Sequence, residues 1–256
     1  MCLVVIAYRV SDENPFIVAA NRDEFHKRPT QPANWWPDAP GLVAGRDLQA
    51  GGTWLGLHQS GRFATVTNFQ DGTPASGPFE SRGRLVADFL SGNVSAIDYL
   101  ASIRGDAFAG FNLVLSDGRS LAYLSNREAG PRVLAPGIYG LSNATLDTPW
   151  EKVERSKAHL ANLIDSAKVS DSSLLDLLAD RKKGPIEEVR NRQLPRDIAH
   201  AITAPFIITP DYGTRCSTVV RNDRADQWHF LERRFNAAGD ATGDSRFSLG
   251  DAENGQ

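Results

Sequence analysis

"MCLVVIAYRVSDENPFIVAANRDEFHKRP" spans residues 1–29, and its reading decides the fold. Residues 2–8 are apolar and rich in β-branched side chains, the composition of a buried strand. "SDENP" (11–15) is turn chemistry, and "FIVAANRD" (16–23) is a second apolar run. The two runs therefore pair as a hairpin. That pairing returns the end of the second strand to the start of the first, so Asn21, Arg22, Asp23 and Glu24 lie beside Cys2. A free cysteine is most often a small buried hydrophobe. Removal of Met1 would instead give Cys2 a thiol and a free α-amine on one carbon, a nucleophile with its own base. A neighbouring arginine would lower the thiol pKa, and a carboxylate would hold the α-ammonium or orient the arginine. The alternative for the same polar cluster is a solvated strand end with local ion pairs.

Outward from this hairpin, "RPTQPANWWPDAPG" (28–41) carries four prolines and reads as an ordered loop. "GGTWLGLHQSGRFATVTNFQD" (51–71) is strand, Ser-Gly turn, strand. "SRGRLVADFLSG" (81–92) reads as a helix ended by Gly92, and residues 93–103 as a second helix capped by Asn93 or Ser95. Strands resume within 110–118, 120–128 and 131–143. Thr148 is placed to cap a helix with Pro149 at its first position, running to about residue 167. Residues 171–181 form another helix, and 206–223 with 228–235 a final hairpin. No regular βαβ alternation is present, so the chain reads as α+β, with antiparallel sheets and helices outside. One domain is expected over 1–235. The Gly-, Asp- and Ser-rich residues 236–256 are expected to be disordered.

The net charge of −3 supplies no basic field for nucleic acid. Two cysteines make no disulfide framework, which suits a reducing compartment. Charged residues follow the first apolar run at once, so no signal peptide is read, and no run approaches a membrane span. The expected location is cytoplasmic. The five histidines lack metal-ligand spacing. "AGGTWLG" lacks the lysine of a phosphate-binding loop, and no Gly-x-Ser-x-Gly elbow occurs. Asn143, following a strand, is a neutral donor suited to an oxyanion hole, or a turn asparagine. Arg215 enters a late strand after a Gly turn, as a site cation or a surface arginine. Cys216 reads as core packing.

Taken together, "MCLVVIAY", "AANRDEFHKRPT", "GGTWLGL", "TNF", "SRGRLV", "FNLVL", "GIYGLSNATLDTPWEKV" and "YGTRCSTVV" resemble the NRDE family, also called the transport and Golgi organisation protein 2 family. The motifs run from Met1 to about Val220. The resemblance implies an N-terminal nucleophile hydrolase-like fold, an αββα sandwich of two stacked antiparallel sheets flanked by helices. Among cysteine members of that superfamily, the outline is similar to bile salt hydrolases and penicillin V acylases. It implies catalytic roles for Cys2, Arg22, Asp23, Asn143 and Arg215. Substrate contacts are expected at Asn21, Glu24, Trp54 and Asn68. In those acylases the arginine stands three residues before the aspartate, whereas here Arg22 and Asp23 are adjacent. Asn21 and Glu24 are therefore alternative occupants of the two roles. The family is linked to haem trafficking and to lipid or acyl-CoA handling.

Two functions follow. The first is a hydrolase of linear amide bonds in a small acyl substrate. Cys2 would attack, its α-amine would act as base and then acid, and no cofactor would be required. The second is a non-catalytic carrier of haem or an acyl lipid in the same cleft. Trp35, Trp36 and Trp54 would be its walls, Arg22 or Lys27 would meet carboxylates, and His26 or Cys2 would approach iron.

Overall fold

The computed structural model describes residues 2–70, 72, 77–189 and 194–250. In chain order the strands are β1 (Cys2–Tyr8), β2 (Phe16–Phe25), β3 (Thr30–Trp35), β4 (Leu42–Asp47), β5 (Leu55–His58), β6 (Phe63–Asn68), β7 (Phe111–Ser116), β8 (Leu121–Ser125), β9 (Arg132–Leu134), β10 (Gly137–Leu141), β11 (Tyr212–Asn222), β12 (Trp228–Phe235) and β13 (Ala241–Leu249). The helices are α1 (Arg82–Ser91), α2 (Ala96–Ser102), α3 (Glu151–Asp165), α4 (Asp171–Leu178) and α5 (Arg196–Ala201). One sheet has the order β10-β1-β2-β11-β12-β13, and the other runs β3 to β9 in sequence. Neighbouring strands are antiparallel throughout.

Strand periodicity creates the layers. In β1 and β2, Val4, Ile6, Phe16 and Val18 face the second sheet and meet Phe63, Val114 and Tyr123. The alternate residues Val5, Ala7, Ile17 and Ala19 face away and meet Leu160 of α3 and Leu174 of α4. On the outer face of the second sheet, Ala64, Leu113 and Leu115 pack against Leu85 and Phe89 of α1 and Leu100 of α2. The result is an αββα sandwich with two stacked antiparallel sheets. Among the described residues, no helix is long and apolar enough to cross a membrane.

Three expectations need correction. The proline-rich stretch contains β3, an edge strand whose register shifts between Gln31 and Asn34. Pro32 lies within that shift, at a sheet edge where a missing N–H is tolerated. Residues 241–249 are not disordered, because they pair along the free edge of β12. Arg233 there meets Asp244, and Phe247 packs on Phe230 with ring centroids 6.2 Å apart. Residues 251–256 of the expected tail lie outside the described residues. Finally, α3 begins at Glu151 rather than at Pro149. Thr148 Oγ1 donates to the Thr145 carbonyl, so it closes a turn instead of capping the helix.

Candidate active site

The end of β2 divides its polar residues between two faces. Arg22 continues the inter-sheet row of Val18 and Ala20, whereas Asn21 and Asp23 continue the helix-facing row of Ile17 and Ala19. Asn21 is 1% exposed. Its Nδ2 donates to the carbonyls of Leu178 and Pro205, each at 2.9 Å, and its Oδ1 accepts from Ser217 Oγ. The amide is fully committed to holding the helical layer.

Cys2 opens β1 directly opposite Arg22. Its backbone nitrogen donates to Asn143 Oδ1 at 3.2 Å, and its carbonyl accepts from Ser142 Oγ at 2.7 Å. Asn143 in turn donates through Nδ2 to the Asn68 carbonyl at 2.7 Å, at the end of β6. Asn143 thus ties the start of one sheet to the end of a strand in the other. Its loop is fixed from below: Thr67 Oγ1 donates to the Ser142 carbonyl, and Asn112 Nδ2 donates to the Ala144 carbonyl. Tyr123 OH donates to Asn112 Oδ1 and accepts from the Leu146 N–H.

Asp23 is buried beneath Cys2, and Thr214 Oγ1 donates to its Oδ1 at 2.7 Å. Burial pushes its carboxyl pKa up, against the opposing pull of Lys152 and Arg22. Lys152 of α3 is itself 1% exposed, and its Nζ donates to the Ile202 carbonyl at 3.2 Å. Burial pushes the lysine down, opposed by Asp23, Cys2 and Glu188. Burial also pushes the Cys2 thiol up, and Asp23 adds to this; Arg22 pulls the other way but does not prevail. The arginine acts on the thiol in the expected direction, but burial outweighs it.

In front of Cys2 lies a cleft of about 380 Å³, lined also by Arg22, Asp23, Glu24, Trp54, Asn68 and Arg82. The Arg22 guanidinium lies 4.2 Å from the centre of a Trp54 ring, donates to Thr30 Oγ1, and stands 3.8 Å from Asp47 Oδ2. Asp47 is held more closely by Arg28 Nε at 2.7 Å, and Glu24 lies 3.8 Å from the same arginine. The floor is built by close backbone approach. A Cβ on Gly52 would lie 2.4 Å from the Gly83 carbonyl carbon, so only glycine brings the amino end of α1 against residues 52–53.

A thiol at the tip of a central strand, an asparagine on its nitrogen and a buried aspartate beneath it make an ordered constellation in an open cleft. A sequence profile described as "Transport and Golgi organisation 2" matches residues 1–237. The chain belongs to that family. It is 35% identical to the bovine transport and Golgi organization protein 2 homolog, an alignment covering 91% of this chain and 92% of the relative. The human homolog is 33% identical at the same coverages. Among solved structures, the C2A mutant of the conjugated bile acid hydrolase from Clostridium perfringens superposes with a TM-score of 0.54. It does so at 7% identity, over 99% of this chain and 94% of that one. That likeness shows an N-terminal nucleophile hydrolase-like fold in this member of the family.

The family motif "NRDE" is thus not one site but two faces. Cys2, Arg22, Asp23, Glu24, Trp54 and Asn68 gather at the cleft, and Asn143 stands behind Cys2. Asn21 does not present its amide there, which corrects its assignment as a substrate contact and as an alternative to Arg22. Asn143 turns its carbonyl oxygen toward Cys2 and spends its donor on Asn68, which corrects its reading as an oxyanion donor. Arg215 is not brought to Cys2. It occupies the β11 bulge between Thr214 and Cys216, and its NH1 donates to the carbonyls of Phe25 and Arg28. Trp36 is packed in the helix-side core, Trp35 lies against Phe247, and His26 Nε2 pairs with the Thr209 carbonyl. None of the three, nor Lys27, lines the cleft. Sequence reasoning missed Lys152, Arg82 and Asn112. A lysine in the first turn of an amphipathic helix and an asparagine inside "FNLVL" were the available signals.

Proposed function

We propose that this protein is an N-terminal cysteine hydrolase acting on linear amide bonds of a small acyl substrate. The observation that carries the reading is the hydrogen bond from the Cys2 nitrogen to Asn143 Oδ1, with Asp23 buried below and the cleft open in front. With Met1 removed, the same nitrogen is an α-amine held by an acceptor that does not titrate. Burial holds the thiol pKa above its ordinary value, so attack requires a base to take its proton. On attack the amine takes the thiol proton, and sulfur bonds to the substrate carbonyl carbon. The tetrahedral intermediate collapses as the ammonium returns that proton to the leaving nitrogen. Water then releases the acid by the same route. Asn68 lines the cleft, and among the described residues its side chain makes no hydrogen bond, which leaves its amide for the oxyanion. Arg22, locked over Trp54, supplies fixed positive potential.

A second reading, a non-catalytic carrier of haem or an acyl lipid, draws support from the same raised thiol pKa, because the sulfur is not activated at rest. Matched assays separate the two. Met-free wild type and Cys2→Ala are given a panel of linear acyl amides, then titrated with haem and acyl-CoA. Hydrolysis by wild type, lost in Cys2→Ala, supports the enzyme. Saturable ligand binding by both proteins without any turnover replaces it with the carrier.

A further inference from the structure

The cleft is lined by three arginines, Arg22, Arg28 and Arg82, and four carboxylates, Asp23, Glu24, Asp47 and Glu80, but they are not evenly paired. Arg28 is paired with Asp47 and Glu24, Arg22 stands by Asp47 and Thr30, and Glu80 faces Arg84 at 3.6 Å. Asp23 is turned toward Thr214 and the helical layer. Arg82 is the exception. Its NH1 donates to the Gly110 carbonyl at 3.0 Å, and among the described residues it forms no ion pair with a carboxylate. A guanidinium carries five N–H donors in a planar fork matched to carboxylate and phosphate. Arg82 thus keeps most of that fork for the cleft it shares with Cys2. Burial disfavours its charged form, Cys2 and Glu24 favour it without forming an ion pair, and a bound anion would offset the remaining cost. The surroundings act in the same sense: α1 has no acidic residue in its first turn, and its N-cap Ser81 makes no side-chain cap bond.

We propose that Arg82 is the anion subsite of this cleft, so that the substrate is an acyl amide that also carries a carboxylate or phosphate group. The inference rests on the hydrolase reading for its scissile bond, but its anion preference is measurable without chemistry. The probes are N-octanoylglycine, its neutral isostere N-octanoylglycinamide, and N-octanoyl-O-phosphoethanolamine. Calorimetry on the full chain carrying Cys2→Ala is expected to show at least about tenfold tighter binding of an anionic probe than of the carboxamide. Whether the carboxylate or the phosphate binds better identifies the group the subsite takes. Adding Arg82→Gln abolishes the preference, and Arg82→Lys, which keeps the charge but not the fork, retains part of it and serves where the glutamine variant does not fold. Equal affinity for all three probes in the Arg82-containing chain, or an undiminished preference in both Arg82 variants, overturns the proposal. Octanoate release by the Met-free chain is read separately. Release without anion preference removes the subsite and leaves the hydrolase; anion preference without release of octanoate from any probe does the reverse.

Discussion

Asn21 and Arg22 are adjacent, polar and almost fully buried, yet they belong to different parts of the molecule. Asn21 points to the helical layer and joins Leu178, Pro205 and Ser217. Arg22 points between the sheets, stacks on Trp54 and lines the cleft with Cys2. The difference teaches that a dense polar motif on a strand is read two residues at a time. Asn21 on one face supports the architecture, Arg22 on the other meets whatever enters the cleft, and Asp23, on the face of Asn21, also reaches the cleft lining.

The sharpest way to break this division is to remove the group on which the cleft face converges. Cys2→Ala is expected to lower amide turnover by about a thousandfold or more, with far-ultraviolet circular dichroism and thermal midpoint close to wild type. Retained turnover in that variant would take the chemistry away from this face altogether. Asn68→Ala tests the next member. Loss of one oxyanion donor lowers kcat by about a hundredfold or more, read in steady-state kinetics with little change in KM. On the opposite face, Asn21→Ala strands two buried carbonyls and a hydroxyl, and costs about 2–3 kcal/mol in urea unfolding. Its kcat/KM per folded molecule stays near wild type, and a large fall would mean that the two faces are not separate.

Much of this arrangement is legible before any coordinates. The apolar runs and the "SDENP" turn specify the β1–β2 hairpin, and with it the neighbourhood of Cys2 and "NRDE". What pattern does not carry is the third dimension at strand ends. The bulge that carries Arg215 toward the Phe25 carbonyl depends on the pairing of β11 with β2, more than 180 residues away in sequence. The orientation of the Asn143 amide depends on Asn68, in the other sheet. Lys152 looks like any helical lysine until Asp23, Glu188 and the Ile202 carbonyl close over it. The composition of residues 236–250 suggested disorder because the free edge of β12 is invisible in it.

A smaller effect compares two thiols on either side of Arg22. Cys2 and Cys216 are its partners in β1 and β11, but Cys2 lines the cleft and Cys216 is sealed beside Glu232. Burial raises both thiol pKa values, that of Cys216 well above 9.0 and with Glu232 adding to the effect. The thiolate is the reacting form, so alkylation of Cys2 continues to accelerate as pH rises past 9.0, and Cys216 reacts more slowly at every pH. Peptide mapping after timed iodoacetamide treatment reads both rates, and equal labelling would erase the contrast.

The central claim is that Cys2 is the first residue of the working protein and its nucleophile. Intact mass spectrometry tests it most directly, on the purified chain and again after acid quench during exposure to a linear acyl amide. The account predicts a mass lacking Met1, then a fraction heavier by one acyl group minus a proton, mapped to Cys2 and absent from Cys2→Ala. A Met-free chain that acquires no acyl adduct and releases no acid, while binding haem or acyl-CoA saturably, would contradict it.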